Sequence, residues 1–496
     1  MNSRSTAAVH SSNAGTFKKA FAALVVVLGA ALVLAACGTP SSQSGPASAQ
    51  YSTTTALLPN LPGKGHPPFV TGDVVSCVSA TYCLIAGDTD GAINESNVSL
   101  SSLRMQATAS IWNGKQWEST ILTPSDSGVD EVESASCLNR DLCLIGGVSV
   151  PHTSDFAPFV SLYRGTGWTT TDVFASTEPI TNGQVLDVKC ASENFCLASG
   201  DATYAGRVIE PALAVWNGER WDTVDVPSIY GGGIKANDYF DSVSCTSSTF
   251  CDVVGAIQNS RGLNEAIVAS LRGTSWSFTS LSAFIHSAQP TTYGSAEVDC
   301  VSTTFCVIGG ETELSTNGYS LHAFVATERD GHWSVQSLAA RLDVAEMGNV
   351  ASVDCLSDTF CAAAGSYGPA GGNSVSRPFA YDWNGRNWTS SGNLHLPSIK
   401  ADTDIDVQNI SCGSTHFCAL ASYQLPSGNN LWPMVSTFNG KTWSTVVVAG
   451  NIGSQNGYQS VLNEINCPTA SFCMGVGTDG ENDLGIGVVG WDVEVK

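Results

Sequence analysis

Two cysteines six positions apart recur eight times along this 496-residue chain. The pairs are Cys77/Cys83, Cys137/Cys143, Cys190/Cys196, Cys245/Cys251, Cys300/Cys306, Cys355/Cys361, Cys412/Cys418 and Cys467/Cys473. Steps between first cysteines run from 53 residues (Cys137 to Cys190) to 60 (Cys77 to Cys137). A period of this size marks a repeat architecture in which no unit buries its apolar face alone. Length by itself suggests about three domains. The period overrides that expectation, because a closed ring of small units is one domain.

Repeat 3 shows the unit. Val188 and Cys190 flank Lys189 in an alternating strand, here called a. A polar turn leads to Phe195-Cys196-Leu197 and Gly200, strand b. After a variable loop, Ala212 to Trp216 forms strand c. Asn217-Gly218 then reads as a tight hairpin turn with positive φ at both central residues, and Trp221 opens strand d. The residue two before each first cysteine is always apolar: Val75, Ala135, Val188, Val243, Val298, Val353, Ile410 and Ile465. That is the mark of a core-facing strand site. The tryptophan opening strand d recurs as Trp117, Trp168, Trp276, Trp333, Trp388 and Trp443, and reads as packing.

Four-stranded units repeated radially make a β-propeller. The last repeat ends at residues 487–496 without a c–d hairpin, while residues 51–63 resemble a lone strand d. The expected fold is therefore all-β: an eight-bladed β-propeller of four-stranded antiparallel blades over 51–496, its ring closed by an N-terminal strand that completes the last blade. Closure removes sheet edges that invite aggregation.

The first 36 residues have another purpose. A basic start ending in Lys18 and Lys19 precedes the apolar run 21–36, then Cys37. This is the pattern of an export signal. Leu34-Ala35-Ala36-Cys37 resembles the lipobox of bacterial lipoproteins, which implies a diacylated Cys37 as mature N-terminus. The apolar run is shorter than the roughly 20 residues of a membrane span. Residues 37–50 read as the lipidated cysteine and a flexible Gly/Pro/Ser tether. The expected location is the extracytoplasmic face of the cell membrane, held by lipid. Setting Cys37 aside, the sixteen remaining cysteines fall in local pairs, as disulfides of an exported chain do. Each would close a short loop between strands a and b, worth roughly 2–2.5 kcal/mol. Such a bridge is expected to staple its own blade at the short-turn face and to have no part in joining blades. Zinc is the weaker reading, since the chain has no C-x2-C knuckles with histidine partners.

The composite S-C-x-S-x-x-F-C-x-x-x-G followed by W-N-G-x-x-W resembles a repeat of actinobacterial exported proteins of unknown function. It is also similar to kelch repeats: Gly146-Gly147 and Gly309-Gly310 end strand b as the kelch glycine pair does. The resemblance covers 51–496 and implies a propeller, not an activity. The chain departs from galactose oxidase, whose cysteine–tyrosine crosslink needs a free cysteine, and from sialidases, because Asp330-Gly331-His332-Trp333 lacks the spacing of their aspartate boxes.

Function is sought on the long b–c and d–a loops, opposite the short disulfide and Asn-Gly turns. Tyr204, Tyr230, Tyr239, Tyr293, Tyr319, Tyr367, Tyr423 and Tyr458 fall in or beside them, with Trp432. Aromatic residues with polar tips are enriched at interfaces, so these are the candidate ligand contacts. A net charge of −23 excludes nucleic acid as a natural partner. The expected role is a binding or scaffold module for a cell-wall glycan or an exported protein. The alternative is a glycan-active hydrolase or lyase using inner-strand carboxylates: Asp187, Glu297, Asp299, Asp354 and Glu464. The mature histidines are scattered, and no catalytic nucleophile motif is present. Clustered acids (Asp402, Asp404 and Asp406; Asp88 and Asp90) can hold Ca²⁺, but neither completes an EF-hand loop. No other cofactor is expected.

Overall fold

The structure is a computed structural model. It describes residues 51–55, 69–70, 72–90, 104–122, 128–150, 156–175, 179–204, 208–226, 238–258, 264–281, 291–314, 321–338, 346–369, 375–392, 394, 403–425, 431–447, 461–478 and 489–493. Every element in these segments is a strand, apart from single helical residues at 226 and 281. Residues 1–50, with the expected export signal, Cys37 and tether, lie outside them, as do Asp402, Tyr230, Tyr319 and Tyr458.

The sheets follow one another in chain order, and within each the strands run a-b-c-d. Repeat 3 is representative: Ile180–Ser192, Phe195–Tyr204, Ile209–Trp216 and Trp221–Val224, all antiparallel. The expectation of eight equivalent four-stranded blades is corrected. Seven blades, repeats 1 to 7, each fold from one continuous stretch of chain. The remaining sheet is a composite. Val461–Thr469 and Phe472–Thr478 are joined by Val489–Val493 and then by the N-terminal Tyr51–Thr55. The outermost strand of this sheet is thus the N-terminal one, and it is not an eighth self-contained blade. Nor are all blades four-stranded. In repeat 1 the inner strand is broken into Phe69–Val70 and Val74–Ser79, both pairing with Tyr82–Asp90. In repeat 2 the segment Arg104–Met105 adds in parallel beside Gly128–Val129.

All eight cysteine pairs are disulfides, with Cα atoms 3.9–4.1 Å apart across strands a and b. Each bridge joins strands a and b of its own blade, as expected, but its second sulfur also takes part in packing between blades. The second cysteine of every pair is sealed in the wall: Cys83, Cys143, Cys196, Cys251, Cys306, Cys361 and Cys418 are 0% exposed and Cys473 is 1% exposed. The reason is that strand b lies inside its sheet, and its faces are covered by neighbouring blades. Cys143 packs with Leu84 and Ala86 of repeat 1, and Cys251 with Leu197 and Leu213 of repeat 3. Cys361 meets Phe305 and Val307, Cys418 meets Ala362 and Ala364, and Cys473 meets Phe417 and Ala419. Cys83 closes the series against Met474 and Val476 of the composite sheet. Each bridge is covalent within one blade, yet its second sulfur is core for the junction with the blade before it.

The a–b turn has its own side-chain brace. The Ser79 hydroxyl accepts from Thr81 N–H, and Ser247, Ser302, Ser357 and Ser414 do the same two residues on.

The c–d turn differs from the two-residue hairpin expected. In repeats 1, 3, 6 and 7 only glycine has positive φ, between 85° and 97°. The asparagine caps instead: Asn217 Oδ1 accepts from Glu219 and Arg220 N–H at 3.0 and 3.1 Å. The loop thus spans four residues between paired Trp216 and Trp221, whose rings lie 5.8 Å apart. Repeat 5 builds the two-residue form, with Asp330 at 51° and Gly331 at 80° between paired Arg329 and His332.

Strand a bulges just before its third residue ahead of the cysteine, as at Val185/Asp187, Val350/Ser352 and Leu462/Glu464. Opposite that bulge strand b carries glycine. A Cβ on Gly200 would lie 2.0 Å from Gln184 O, and one on Gly365 would lie 1.9 Å from Asn349 O. The recurring glycine four residues after the second cysteine is therefore required by close backbone approach. Between blades the core is aliphatic and aromatic; Leu162, Val173 and Phe174 of repeat 2 pack with Val185, Val188 and Trp216 of repeat 3. Gly365→Ala is expected to destabilise the protein by about 1–3 kcal/mol through this overpacking, read as a lowered denaturation midpoint. An unchanged midpoint would show that the bulge yields freely.

Candidate functional site

Strand a lies at the inner edge of its sheet, covered in repeat 2 only at Gly128–Val129 by Arg104–Met105, so alternate amides on its far side lack a sheet partner. The neighbouring repeat supplies one through side chains. Residues one and three before the first cysteine face the channel, and in most repeats they are Ser, Asn, Asp or Glu. They accept N–H bonds from the next strand a. Ser76 Oγ takes Cys137 N–H (2.9 Å), and Ser134 Oγ takes Val188 N–H (3.2 Å). Asp187 takes Val243 N–H (2.8 Å). Ser242 and Ser244 bind Val298 and Cys300, while Glu297 and Asp299 bind Val353 and Cys355. Ser352 and Asp354 bind Ile410 and Cys412, and Asn409 and Ser411 bind Ile465 and Cys467. The ladder then returns to its start: Glu464 Oε2 accepts Val75 N–H (2.7 Å), and Asn466 Oδ1 accepts Cys77 N–H (3.0 Å).

The five carboxylates singled out as acid/base candidates are thus members of this ring. Asp187 is the most engaged. It also accepts from the Ser134 and Ser242 hydroxyls (2.7 and 3.2 Å) and Val188 N–H (2.8 Å), tying repeats 2, 3 and 4 together. Burial pushes the Asp187, Asp299 and Asp354 carboxyls up. Lys189, exposed in the channel wall, pulls each of them back. Glu297 is pushed up to about 8, chiefly by burial, with Asp299 and Asp187 adding repulsion against the Val353 and Ser352 hydrogen bonds.

The described aromatic candidates lie near the long-loop ends of strands a, b and c, and several are engaged there by their own neighbours. Tyr204 packs on the core between repeats 2 and 3 and donates its hydroxyl to Phe174 O at 3.1 Å. Tyr423 donates to Asp406 Oδ2 at 2.8 Å, and burial and that carboxylate raise its pKa. Tyr367 lies against Phe379, ring centres 6.2 Å apart. Tyr239, partly covered, sits at the start of its strand a opposite Ala256. Tyr293 is placed by its backbone in strand a of repeat 5, opposite Thr312. Trp432, 38% exposed, opens strand c of repeat 7 at the long-loop end.

Three of the acidic groups weighed for calcium, Asp404, Asp406 and Asp88, have protein donors. Asp404 Oδ1 accepts Ser376 N–H (2.7 Å), Asp406 is held by Tyr423 and Gln408, and buried Asp88 accepts Val132 N–H (3.2 Å). Asp252 lies near the sulfurs of Cys300 and Cys306, which are bonded to each other and offer no thiolate.

Sequence reasoning missed an ion triad between repeats 4 and 5, in which Asp252 and Glu328 are buried and Arg272 is partly exposed. Arg272 lies 2.9 Å from Asp252 and 3.0 Å from Glu328, and stacks 3.6 Å over the Phe250 ring. The signal was available: after the second cysteine the other repeats carry Leu, Val, Ala or Met where repeat 4 has Asp252.

No protein-family model matches the chain, and no curated protein does. Among solved structures, the chain is similar to a protein of unknown function from Dyadobacter fermentans (12% identity, covering 78% of this chain and 98% of that one, TM-score 0.41). It is similar to the six-bladed fungal lectin of Aleuria aurantia (14%, 66% and 98%, TM-score 0.33). A Hadza microbial sialidase also matches (9%, 89% and 96%, TM-score 0.37). These likenesses carry no argument about activity, and the chemistry of the site follows from its own residues.

The channel makes stability depend on pH. Glu297 keeps its proton in the folded protein up to about pH 8, whereas in the unfolded chain it loses it near 4.5. Its contribution is therefore full below the unfolded value and lost as pH rises through about 8. Asp187, Asp299 and Asp354 act in the same direction. Tm is expected to fall between about pH 5 and about pH 8.5, and Glu297→Gln to flatten that fall. An unaltered slope in the variant would remove Glu297 from the account.

Proposed function

We propose that the chain is exported, anchored through lipidated Cys37 to the extracytoplasmic face of the cell membrane, and works there as a binding or scaffold module. Its propeller would hold an envelope glycan or an exported protein. The observation that carries this reading is the division between channel and rim. The channel carboxylates are occupied in joining inner strands. At the rim, Trp432 and Leu425 are each 38% exposed on the two strands of one hairpin end. A large exposed aromatic on a braced scaffold is what a recognition surface needs. The disulfides support export, since such bonds persist in oxidising compartments. The lipobox-like tetrapeptide supports the anchor.

The test uses the full chain purified in mild detergent, immobilised and exposed to two probes: envelope glycan fractions and an extract of exported proteins. One fraction should be retained, and Trp432→Ala should weaken its retention at least about 10-fold, the scale of an interface anchor. Retention of neither probe would overturn the proposal.

A further inference from the structure

The tryptophans that open strand d fall into two groups: Trp117, Trp168, Trp221, Trp276 and Trp333 are partly exposed, whereas two are shut in. In repeats 6 and 7 the tryptophans that open strand d, Trp388 and Trp443, are only 4% and 1% exposed. Each donates its indole N–H to a hydroxyl of the preceding repeat: Thr327 Oγ1 at 3.1 Å and Ser391 Oγ at 3.2 Å. In repeat 3 the equivalent is Trp221. The residue of repeat 2 at the place of Thr327, two before the c–d turn arginine, is Leu162, which offers no acceptor. Trp221 stays partly exposed, and between the outer strands of repeats 2 and 3 lies a cleft of about 270 Å³.

Trp221 contributes aromatic surface to this cleft, and Phe174, 1% exposed, backs it from the core. Thr171 and Asp172 line it from repeat 2, and Glu219 and Arg220 from repeat 3, all four exposed. Phe174 has φ 63°, a left-handed conformation that costs a bulky residue energy. Repeat 3 holds it there: Phe174 O accepts the Tyr204 hydroxyl at 3.1 Å, and Ala175 O accepts Thr223 Oγ1 at 2.8 Å. The cleft wall is thus preset before any ligand arrives, which lowers the ordering cost of binding.

We propose that this cleft binds one ring of a neutral saccharide. The proposal rests on the binding reading above and adds a place and a ligand class. A sugar ring has an apolar C–H face that an indole can cover and a rim of hydroxyls that carboxylates and threonine can bond. The cleft has room for one such ring. Charge decides against acidic sugars. Arg220 is already paired with Asp222 at 2.7 Å, which leaves Asp172 and Glu219 in a chain of net charge −23. Sialic and uronic acids are repelled there, and uncharged sugars are not.

The test is a glycan array carrying neutral, uronic and sialylated oligosaccharides, probed with the labelled full chain in detergent. Thr171→Trp fills the cleft from an exposed site and spares the core; Trp221→Ala removes the aromatic wall. The expected result is binding to neutral glycans, lost at least about 10-fold in both variants. Unchanged binding in Thr171→Trp, or binding confined to acidic glycans, overturns the cleft proposal. So does an array without signal. If exported proteins are still captured in that last case, the binding reading stands and only the cleft falls. If neither glycan nor protein binds, both fall.

Discussion

The amides on the free edge of each inner strand must be satisfied by something, and in every repeat a satisfying group comes from the inner strand of the blade before it. An unpaired backbone donor away from water costs about as much as a lost hydrogen bond. Among the described residues, backbone pairing between neighbouring blades at their inner edges is confined to Arg104–Met105 beside Gly128–Val129, so their union otherwise depends on packed side chains. The Ser, Asn, Asp and Glu clamps convert that union into a directed one. Because Glu464 and Asn466 reach Val75 and Cys77, the clamps close the ring across the gap between chain ends. The N-terminal strand then pairs at the outside of the same sheet, so closure is made twice, at the channel and at the rim.

The clamp, the bulge and the glycine form one device. The bulge raises local twist and falls immediately before the first clamp residue, as at Val185/Asp187 and Val407/Asn409. At Gly200, Gly255 and Gly365 it brings a carbonyl of strand a so close to strand b that a Cβ does not fit. Repeat 7 places Ser422 where the others have glycine. Its bulge is kept, with Ser422 paired to Val407, so the device tolerates one small side chain there.

Local signals in the sequence specify the blade. Cysteine spacing locates strands a and b, the recurrent tryptophan locates strand d, and both are properties of a few adjacent residues. What depends on a partner about 55 residues away is not readable in the same way. Asp187 and Glu297 are recognisable as channel carboxylates, yet nothing near them names Val243 or Val353 as donors. Likewise the spacing pairs Cys361 with Cys355, but it does not reveal that Cys361 is packed on Phe305 and Val307 of the blade before. The Asn-Gly turn differs for a subtler reason. The dipeptide suggests a backbone role for Asn217, whereas its side-chain oxygen caps the turn and the loop is longer. Tyr204 and Tyr423 stand beside the loops by position, but each lies near a strand end from which the ring turns inward to a covered acceptor. The composite last sheet follows from a missing hairpin that is visible in the chain; the broken inner strand of repeat 1 and the added Arg104–Met105 strand are not.

In a ring of near-identical units, residues that recur explain the fold, and residues that break the pattern are where function can be added with least damage to it. Recurrent carboxylates in the channel belong to the first class despite their raised pKa values, because each has a structural donor. The cleft beside Trp221 belongs to the second: exposed Thr171, Asp172, Glu219 and Arg220 line it where Leu162, like Ile111 and Val215, offers no hydroxyl. Asp252 and Glu328 also belong there, but their charges meet on Arg272 inside the wall. The two departures thus differ in what they leave exposed, and the one at repeats 2 and 3 is the one that presents polar and aromatic surface to the solvent.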